Sequence, residues 1–376
     1  MKFCASEFST GSADGSSRKR GEANAESSPQ VAFPIELRIR FKSDSFQPMP
    51  EMGNVAEMAK QVADEIFSVF GWEGGGPADQ DWECVSPQKH AVKTHPSDVV
   101  MHYEDPYSPF RLYFNFDLKS YGASSISKHA LLKAIRTLAM ATDCANVSPA
   151  WANLYAGQEG NRKTSGVLFV YNHDGEYEDD FDSIISSIDS EKIQLNRGNR
   201  LFIIGPRRIS YLATVANDIL RCRGLDKQAI APAERCSFYY PDLVSARPKS
   251  NSQKAASIEM ILGPWQILRF PRIDGQNVTD CHYLYYAGAG STIDEFKYLL
   301  DSLFRYQRLD ENAAISLRMP FADENASATF RKAKEAYAED FYNLKEFRER
   351  LEKVTFDPIS RIIREFSRVQ LGMENG

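Results

Sequence analysis

Two aspartates and a lysine lie in a segment whose pattern predicts a β-hairpin. Apolar and polar residues alternate from Leu112 to Lys119, so Asp117 and Lys119 point to the same face of the second strand. The first strand begins at Asp98 and runs to Tyr103, where acidic residues, prolines and serine favour a turn. If Tyr103 pairs with Leu112, antiparallel counting sets the two aspartates opposite each other. Opposed carboxylates repel unless a cation lies between them, so the hairpin predicts a divalent-cation site.

Such a site suits the hydrolysis of a phosphodiester bond. Hard carboxylate oxygens favour Mg²⁺ or Mn²⁺, and these ions absorb the negative charge that develops while water attacks a phosphate. We expect Asp98 and Asp117 to bind the metal, with the carbonyl oxygen of Leu118 as a further ligand. Lys119 is placed to orient or deprotonate the attacking water and to hold the phosphate. The alternative is a surface ion pair between Asp117 and Lys119, which would contribute about 0 to 1 kcal/mol.

A predicted helix over residues 55–70 carries a further carboxylate. Asn54 is a suitable N-cap, and apolar residues recur along the helix at the spacing of one buried face. Glu65 follows Val62 by three residues and precedes Val69 by four, so its carboxylate is carried on that apolar stripe. Such a glutamate needs a partner, unless it is a border residue whose head group reaches solvent.

Length and composition limit the class of protein. A chain of 376 residues predicts about two domains. The net charge of -6 excludes a protein that coats nucleic acid with a generally basic surface, but it is compatible with a local cationic groove. The six cysteines form no CxxC motif and no short pair, which indicates reduced thiols in a cytosolic protein and argues against a structural zinc site. No unbroken apolar run approaches the length of about 18 residues that a membrane span needs, and no apolar signal-peptide core follows Met1. We therefore expect neither a membrane span nor secretion.

The order of these motifs resembles the PD-(D/E)xK superfamily of restriction-endonuclease-like proteins. The resemblance rests on Glu65 in the first helix, Pro96-Ser97-Asp98 at a strand start and Asp117-Leu118-Lys119 on the next strand, followed by a helix and a strand. It covers roughly residues 54–172, and it departs from the family pattern because Ser97 separates the proline from the aspartate. The resemblance implies an α/β fold with an αβββαβ core and a metal-dependent nuclease activity. It also implies a supporting role for Glu65, through a metal-bound water or a second metal.

The remaining sequence predicts how the chain is divided. The predicted units are a disordered N-terminal arm at residues 1–30, a nuclease-like domain with a βα extension at 31–225, a polar connector at 226–256, and an α+β domain at 257–376 that ends in long helices. In the first domain we expect strands near residues 33–41, 82–85, 167–171 and 201–204 and helices near 127–141 and 207–222. In the second we expect strands near 257–262, 266–270, 282–287 and 314–319, helices near 292–304 and 324–354, and a shorter helix after Pro358.

A second tripeptide of the [DE]xK type occurs at Glu295-Phe296-Lys297. It lies in the helix predicted near residues 292–304, where residues two apart point about 200° away from each other. Its carboxylate and its lysine therefore do not share a site, and the tripeptide on the hairpin is the better candidate.

Two classes of function remain open. The first is a cytoplasmic metal-dependent endonuclease, for which we expect DNA rather than RNA as the substrate, acting as the effector of a prokaryotic restriction or anti-phage defence system. That cellular role is implied by the resemblance alone. The second is a non-catalytic nucleic-acid-binding or assembly subunit that has kept a nuclease fold. We expect nucleic acid as a partner, and a protein subunit or a second copy bound through the C-terminal region.

Overall fold

The computed structural model describes ten stretches of the chain: residues 53–108, 110–157, 162–224, 231, 235–240, 255–274, 277–306, 309, 313–341 and 344–362. The predicted N-terminal arm at residues 1–30 and the predicted strand near 33–41 lie outside the described residues. Within the described stretches, no helix combines the length and the apolar character needed to cross a bilayer.

Residues 53–224 form a sheet with helices on both faces. The helices are α1 (Gly53–Val69), α2 (Pro87–His90), α3 (Lys128–Ala145), α4 (Pro149–Tyr155), α5 (Phe181–Ser186) and α6 (Pro206–Gly224). The strands are β1 (Glu73–Gly74), β2 (Gln80–Glu83), β3 (Thr94–Ser97), β4 (Val99–Glu104), β5 (Arg111–Tyr121), β6 (Arg162–Asn172) and β7 (Leu201–Ile204). Five of them form a sheet in the order β1-β4-β5-β6-β7, and β2 pairs with β3 in a separate antiparallel ribbon.

The directions of the strands follow from the connections between them. A short turn joins β4 to β5, which are antiparallel, whereas helix α3 connects β5 to its parallel neighbour β6. Strand β7 is also parallel to β6 and extends the sheet, as the predicted βα extension requires. The strand predicted near residues 82–85 belongs to the β2–β3 ribbon, and β1 takes the outer position beside β4 instead.

Side-chain alternation along β5 divides the packing between the two faces of the sheet. Phe114, Phe116 and Leu118 belong to the hydrophobic core that the apolar stripe of α1 completes, and Phe67 of α1 lies 5.0 Å from Phe116 between ring centroids. On the other face α3 packs over β6, and its first turn is capped by Ser127, whose side chain accepts from the backbone N–H of Ala130. Polar residues of β5 therefore point to the face that α3 covers.

A second five-stranded sheet follows. Its strands are β8 (Ser237–Phe238), β9 (Trp265–Asp274), β10 (Asn277–Tyr286), β11 (Ala313–Met319) and β12 (Val354–Pro358), and the helices of this part are α7 (Ile258–Leu262), α8 (Ile293–Arg305), α9 (Ala326–Asp340) and α10 (Lys345–Glu352). The strand order is β12-β11-β10-β9-β8, with β10, β11 and β12 parallel and β8, β9 and β10 antiparallel. Helices α8, α9 and α10 bury their apolar stripes in a core on this sheet.

Two predictions for this part are wrong. Residues 257–262 form α7 rather than a strand, because Ser257 caps a helical turn by accepting from the backbone N–H of Met260. The helix predicted over residues 324–354 is divided into α9 and α10, and the chain then enters β12 beside β11. Helical periodicity continues across the division, so the apolar pattern alone could not locate it.

The two sheets share one hydrophobic core. Phe70, at the end of α1, stacks on Phe238 of β8 with ring centroids 5.5 Å apart, and the indole N–H of Trp72 donates to the carbonyl oxygen of Ala256 at 2.7 Å. The backbone N–H of Ile258 donates to the hydroxyl of Tyr103 at 3.0 Å. The chain between the sheets, predicted as a connector at residues 226–256, thus contributes β8 to the second sheet and Ala256 to the contact with the first.

The cysteines depart from the expectation of scattered thiols. Five of the six lie in the described part of the chain, and these are buried thiols rather than disulfides. Cys84 and Cys144 are 60 residues apart in sequence, yet their Sγ atoms lie 3.7 Å from each other, beside His90. The sequence argument against a structural zinc site considered only cysteines that are neighbours in sequence, so it did not address this grouping.

Candidate active site

The hairpin formed by β4 and β5 has the predicted register. Tyr103 pairs with Leu112, and the last pair at the other end of the ladder is Val99 with Phe116. Asp98 immediately precedes β4, so it lies one step beyond the end of the ladder, at the level of Asp117. The register therefore brings the two predicted carboxylates to the same end of the hairpin.

Asp98 is fixed by a backbone contact across the hairpin. Its half-buried carboxylate accepts a hydrogen bond from the backbone N–H of Leu118, with 2.7 Å between Leu118 N and Asp98 Oδ2. The N–H and C=O of one strand residue point to the same side of that strand, so the carbonyl of Leu118 also points toward this edge. The register therefore places all three predicted metal ligands at the end of the β4–β5 ladder.

Lys119 and Asp117 lie side by side on the same face of β5. Lys119 Nζ is 2.7 Å from Asp117 Oδ1, and the two side chains are only 23% and 15% exposed. The ion pair of the alternative interpretation is therefore present, but both of its side chains are partly buried rather than fully solvated. The register sets this pair at the same end of the hairpin as the carboxylate of Asp98.

A buried polar layer contains Ser97, the residue that precedes Asp98. The hydroxyl of Ser97 donates to Asn115 Oδ1, and the indole N–H of Trp82 donates to Ser97 Oγ at 2.9 Å. All three side chains are buried, and Asn115 shares its face of β5 with Asp117. In the sequence motif Ser97 is only a spacer between Pro96 and Asp98. The one sequence feature that could have indicated a hydrogen bond to Ser97 was Asn115, a polar residue on the same face of β5 as the predicted site.

Glu65 is placed differently from the other predicted site residues. It is half-buried on α1, where the side-chain amide of Gln61 donates to its Oε1 at 3.2 Å. Helix α1 packs on the face of the sheet opposite to Asp117 and Lys119. The structure thus brings Asp98, Asp117, Leu118 and Lys119 to one end of the hairpin, whereas Glu65 lies on a helix that packs on the other face of the sheet.

Another part of α1 does reach the edge where Asp98 lies. Lys60 Nζ lies 3.3 Å from Asp79 Oδ2 and 3.9 Å from Glu57 Oε2. The backbone N–H of Asp79 in turn donates to the carbonyl oxygen of Asp98 at 2.9 Å. Sequence reasoning missed this connection, because Lys60 and Asp79 are 19 residues apart and meet only in the folded chain.

The second [DE]xK tripeptide forms no comparable site. Glu295 accepts hydrogen bonds from the hydroxyl of Tyr286 and from the backbone N–H of Gly290, which ties the start of α8 to the preceding turn. Lys297 pairs instead with Asp340 of α9 at 2.7 Å. The two side chains diverge as the helical geometry predicts.

Part of the chain matches a known protein family. Residues 49–208 match the family model described as the GAPS4 protein PD-(D/E)XK nuclease domain, and this family is associated with defence. The matched region contains α1, the hairpin, α3, β6 and β7. Searches of curated proteins and of solved structures gave no match.

Proposed function

Since residues 49–208 carry a PD-(D/E)XK nuclease domain, we propose that the protein is a metal-dependent endonuclease that hydrolyses phosphodiester bonds in DNA. The observation that carries the proposal is the placement of Asp98 on the backbone N–H of Leu118, at the same end of the hairpin as the pair formed by Asp117 and Lys119. We further propose that α1, β1, β4, β5, α3 and β6 are the restriction-endonuclease-like αβββαβ core. We also propose that the protein acts in the cytoplasm as a defence effector, which the family's association with defence supports.

The donor atoms of the site suit a hard divalent cation. Asp98 and Asp117 offer carboxylate oxygens and Leu118 offers a carbonyl oxygen, which are the ligand types that Mg²⁺ and Mn²⁺ prefer. These three residues would hold the ion at the end of the β4–β5 ladder. A bound ion would supply a Lewis acid that makes water more acidic and neutralises charge on the phosphate.

The chain's own groups supply the remaining steps. Lys119, held beside Asp117, is positioned to bind a phosphate oxygen and to orient the attacking water. Asp98 keeps its orientation through the strand backbone and the layer formed by Ser97 and Asn115, so little reorganisation is required when substrate binds.

A carboxylate of α1 would have a supporting role. Glu65 is our first candidate, and Glu57, joined to the site edge through Lys60 and Asp79, is the second. Replacement of each by glutamine distinguishes them, because the residue that supports the metal site should raise the Mg²⁺ concentration needed for half-maximal cleavage. The other replacement should leave this concentration unchanged.

The second sheet and its helices are proposed to contact a partner, either a protein subunit or a second copy of the chain. In the described residues α9 and α10 already bury their apolar stripes on their own sheet, so a partner would bind their charged outer faces. Size measurement of the purified chain, alone and with DNA, tests for a second copy. A protein that remains a single copy in both conditions would exclude self-association as the partner interaction.

Cleavage of supercoiled plasmid tests the activity. The full chain should cut with Mg²⁺ or Mn²⁺ and stop cutting with a chelator, while Asp117→Asn and Lys119→Ala should reduce cleavage by at least about 100-fold. Lys297→Ala is the matched control, because its lysine belongs to the tripeptide on α8, and it should cut like the wild type. Parallel assays with RNA decide the substrate. DNA binding without cleavage under either metal would overturn the proposal and favour the non-catalytic alternative.

A further inference from the structure

A second group of metal-ligating side chains lies apart from the carboxylates of the candidate active site. The group, which we call the Cys₂His₂ cluster, consists of four buried residues: Cys84, His90, His95 and Cys144. Each offers one ligand atom, and these atoms all lie within 4.8 Å of one another. The cluster joins the end of β2, the end of α2, strand β3 and the last turn of α3.

The distances inside the cluster match a tetrahedral metal site. The two Sγ atoms are 3.7 Å apart, and His90 Nδ1 lies 3.4 Å from Cys84 Sγ and 3.3 Å from Cys144 Sγ. Zinc bonds of about 2.3 Å to sulfur and about 2.0–2.1 Å to nitrogen give tetrahedral edges of about 3.8 Å between sulfurs and about 3.5 Å between sulfur and nitrogen. The two cysteines and His90 are therefore already spaced as ligands around one ion, and a ligand atom of His95 lies within 4.8 Å of theirs.

We propose that the Cys₂His₂ cluster binds one structural zinc ion. Thiolate and imidazole are the donors that zinc prefers, whereas Mg²⁺ prefers the oxygen donors of the candidate active site. Four protein ligands complete the tetrahedron and leave no position for water or substrate, so the ion has a structural role rather than a catalytic one. The two metal sites therefore select different ions.

Neither a disulfide nor a metal-free polar core accounts for the geometry of the cluster as well as zinc does. A disulfide requires about 2.05 Å between sulfur atoms, and the 3.7 Å between Cys84 and Cys144 is too long for a bond. A purely structural polar core should satisfy its hydrogen bonds, yet His95 Nε2 is buried without a hydrogen-bond partner in the described part of the chain. A metal ion at the centre of the cluster would satisfy this nitrogen.

The zinc ion would fasten the β2–β3 ribbon to α3. His95 lies on β3, which ends at Ser97, and Ser97 belongs to the buried polar layer. The backbone N–H of Ser86 donates to Cys84 Sγ at 3.4 Å, an N–H···S contact that stabilises negative charge on a bound thiolate. If the proposed nuclease function is correct, the zinc site holds the strand that positions a catalytic carboxylate. Zinc binding itself does not depend on that function.

Zinc content of the purified full chain tests the proposal without any measurement of activity. Elemental analysis after extensive desalting should find about one zinc ion per chain. Cys84→Ser and Cys144→Ser should each lower this content by roughly tenfold or more. Cys281→Ser is the matched control, because Cys281 is a buried thiol outside the cluster, and it should retain the full zinc content.

A second experiment covers variants that fail to fold. Growth with cobalt in place of zinc should give the wild type the intense absorption of tetrahedral cobalt bound to thiolates, and Cys84→His should keep one metal ion with a weaker thiolate band. A wild-type chain that contains no zinc and gives no such cobalt spectrum would overturn the proposal, as would a disulfide between Cys84 and Cys144.

The zinc and nuclease proposals can fail separately. A chelator that removes Mg²⁺ should leave the enclosed zinc in place, so Mg²⁺ alone should restore cleavage after chelation. Zinc content of one per chain in a protein that cuts nothing would refute only the nuclease proposal. Full cleavage by a protein that contains no zinc would refute only the zinc proposal.

Discussion

The carboxylate of Asp98 accepts a hydrogen bond from the backbone N–H of Leu118, 2.7 Å away, on the opposite strand of its hairpin. The ladder between β4 and β5 ends at the pair of Val99 and Phe116, so this contact continues the strand pairing with a side chain in place of a main-chain carbonyl. The orientation of Asp98 is thus set by strand register.

Replacement of Asp98 separates its structural role from its proposed role as a metal ligand. Asp98→Asn keeps an oxygen that can accept from the Leu118 N–H, but it loses the negative charge that attracts a cation. We expect plasmid cleavage to fall by at least about 100-fold with an almost unchanged melting temperature. Asp98→Ala also removes the acceptor, so it should reduce both cleavage and stability.

Asp280→Asn is the control for this comparison. Asp280 is a partly exposed carboxylate on the second sheet that pairs with Arg269 at 2.9 Å. Its replacement should leave cleavage at the wild-type rate. Wild-type cleavage by Asp98→Asn would contradict the assignment of Asp98 as a metal ligand.

The hairpin was predictable because its information is local. Alternation from Leu112 to Lys119 fixes which side chains share a face, and one correct strand pair then fixes the rest of the register. The helix over Ile258–Leu262 was missed because a short apolar run fits a strand as well as a helix, and its cap at Ser257 decides between them. Propensity alone does not resolve such runs.

The buried polar layer can be tested with Ser97→Ala. This change leaves the buried indole N–H of Trp82 and the Oδ1 of Asn115 without the hydroxyl they share, which should cost about 1–3 kcal/mol of unfolding free energy. If the layer positions Asp98, cleavage should also fall about 10- to 100-fold, and a higher Mg²⁺ concentration should be needed for half-maximal rate.

Ser302→Ala is the matched change on an exposed helix, where the hydroxyl of Ser302 donates to the carbonyl oxygen of Tyr298. It should alter neither the unfolding free energy nor the Mg²⁺ dependence. Loss of stability in Ser97→Ala with an unchanged Mg²⁺ dependence would show that the layer supports the fold without positioning Asp98.

Close packing between β6 and α3 requires a glycine at position 166. A Cβ atom there would lie 2.6 Å from Leu201 Cδ2 and 2.9 Å from Leu138 Cγ, so Gly166→Ala should destabilise the protein by about 1–3 kcal/mol in urea unfolding. Gly224→Ala is the control, since a Cβ at the end of α6 meets no atom within 4 Å. It should be neutral or slightly stabilising. Equal stability of the two variants would contradict the packing described for α3.

The Cys₂His₂ cluster and the polar layer show what the sequence could not reveal. Cys144 lies on α3, and it reaches Cys84 only after α3 has packed on the sheet. Spacing in the sequence can predict metal ligands that share a short loop, as in C-x-x-C motifs, but it cannot predict ligands that come from distant elements. Ser97 is a similar case, because its partner Asn115 lies on another strand. Contacts of this kind depend on the tertiary fold.

Asp218 of α6 and Arg318 of β11 form a buried ion pair between the two halves of the chain. Arg318 Nε lies 2.6 Å from Asp218 Oδ2, and Arg318 Nη2 lies 2.8 Å from Asp218 Oδ1. Burial by itself would raise the pKa of Asp218, but the hydrogen bonds and charge of Arg318 outweigh it and hold the pKa below the ordinary value of 3.8. The carboxylate is therefore favoured in the folded protein.

This depressed pKa gives a stability change with a definite sign. Because Asp218 has a lower pKa in the folded state, its contribution is fully present above pH 3.8 and is lost as the pH falls through the folded-state pKa. Asp218→Asn leaves the buried guanidinium of Arg318 with the more distant carboxylate of Asp357, 3.8 Å away, so it should cost about 3–5 kcal/mol at neutral pH in urea unfolding. Glu349→Gln, which removes the exposed pair with Lys345, should cost about 0–1 kcal/mol.

The difference in unfolding free energy between wild type and Asp218→Asn should shrink as the pH falls below 3.8. A difference that stays constant over this range would mean that the charge of Asp218 does not stabilise the contact between the two halves.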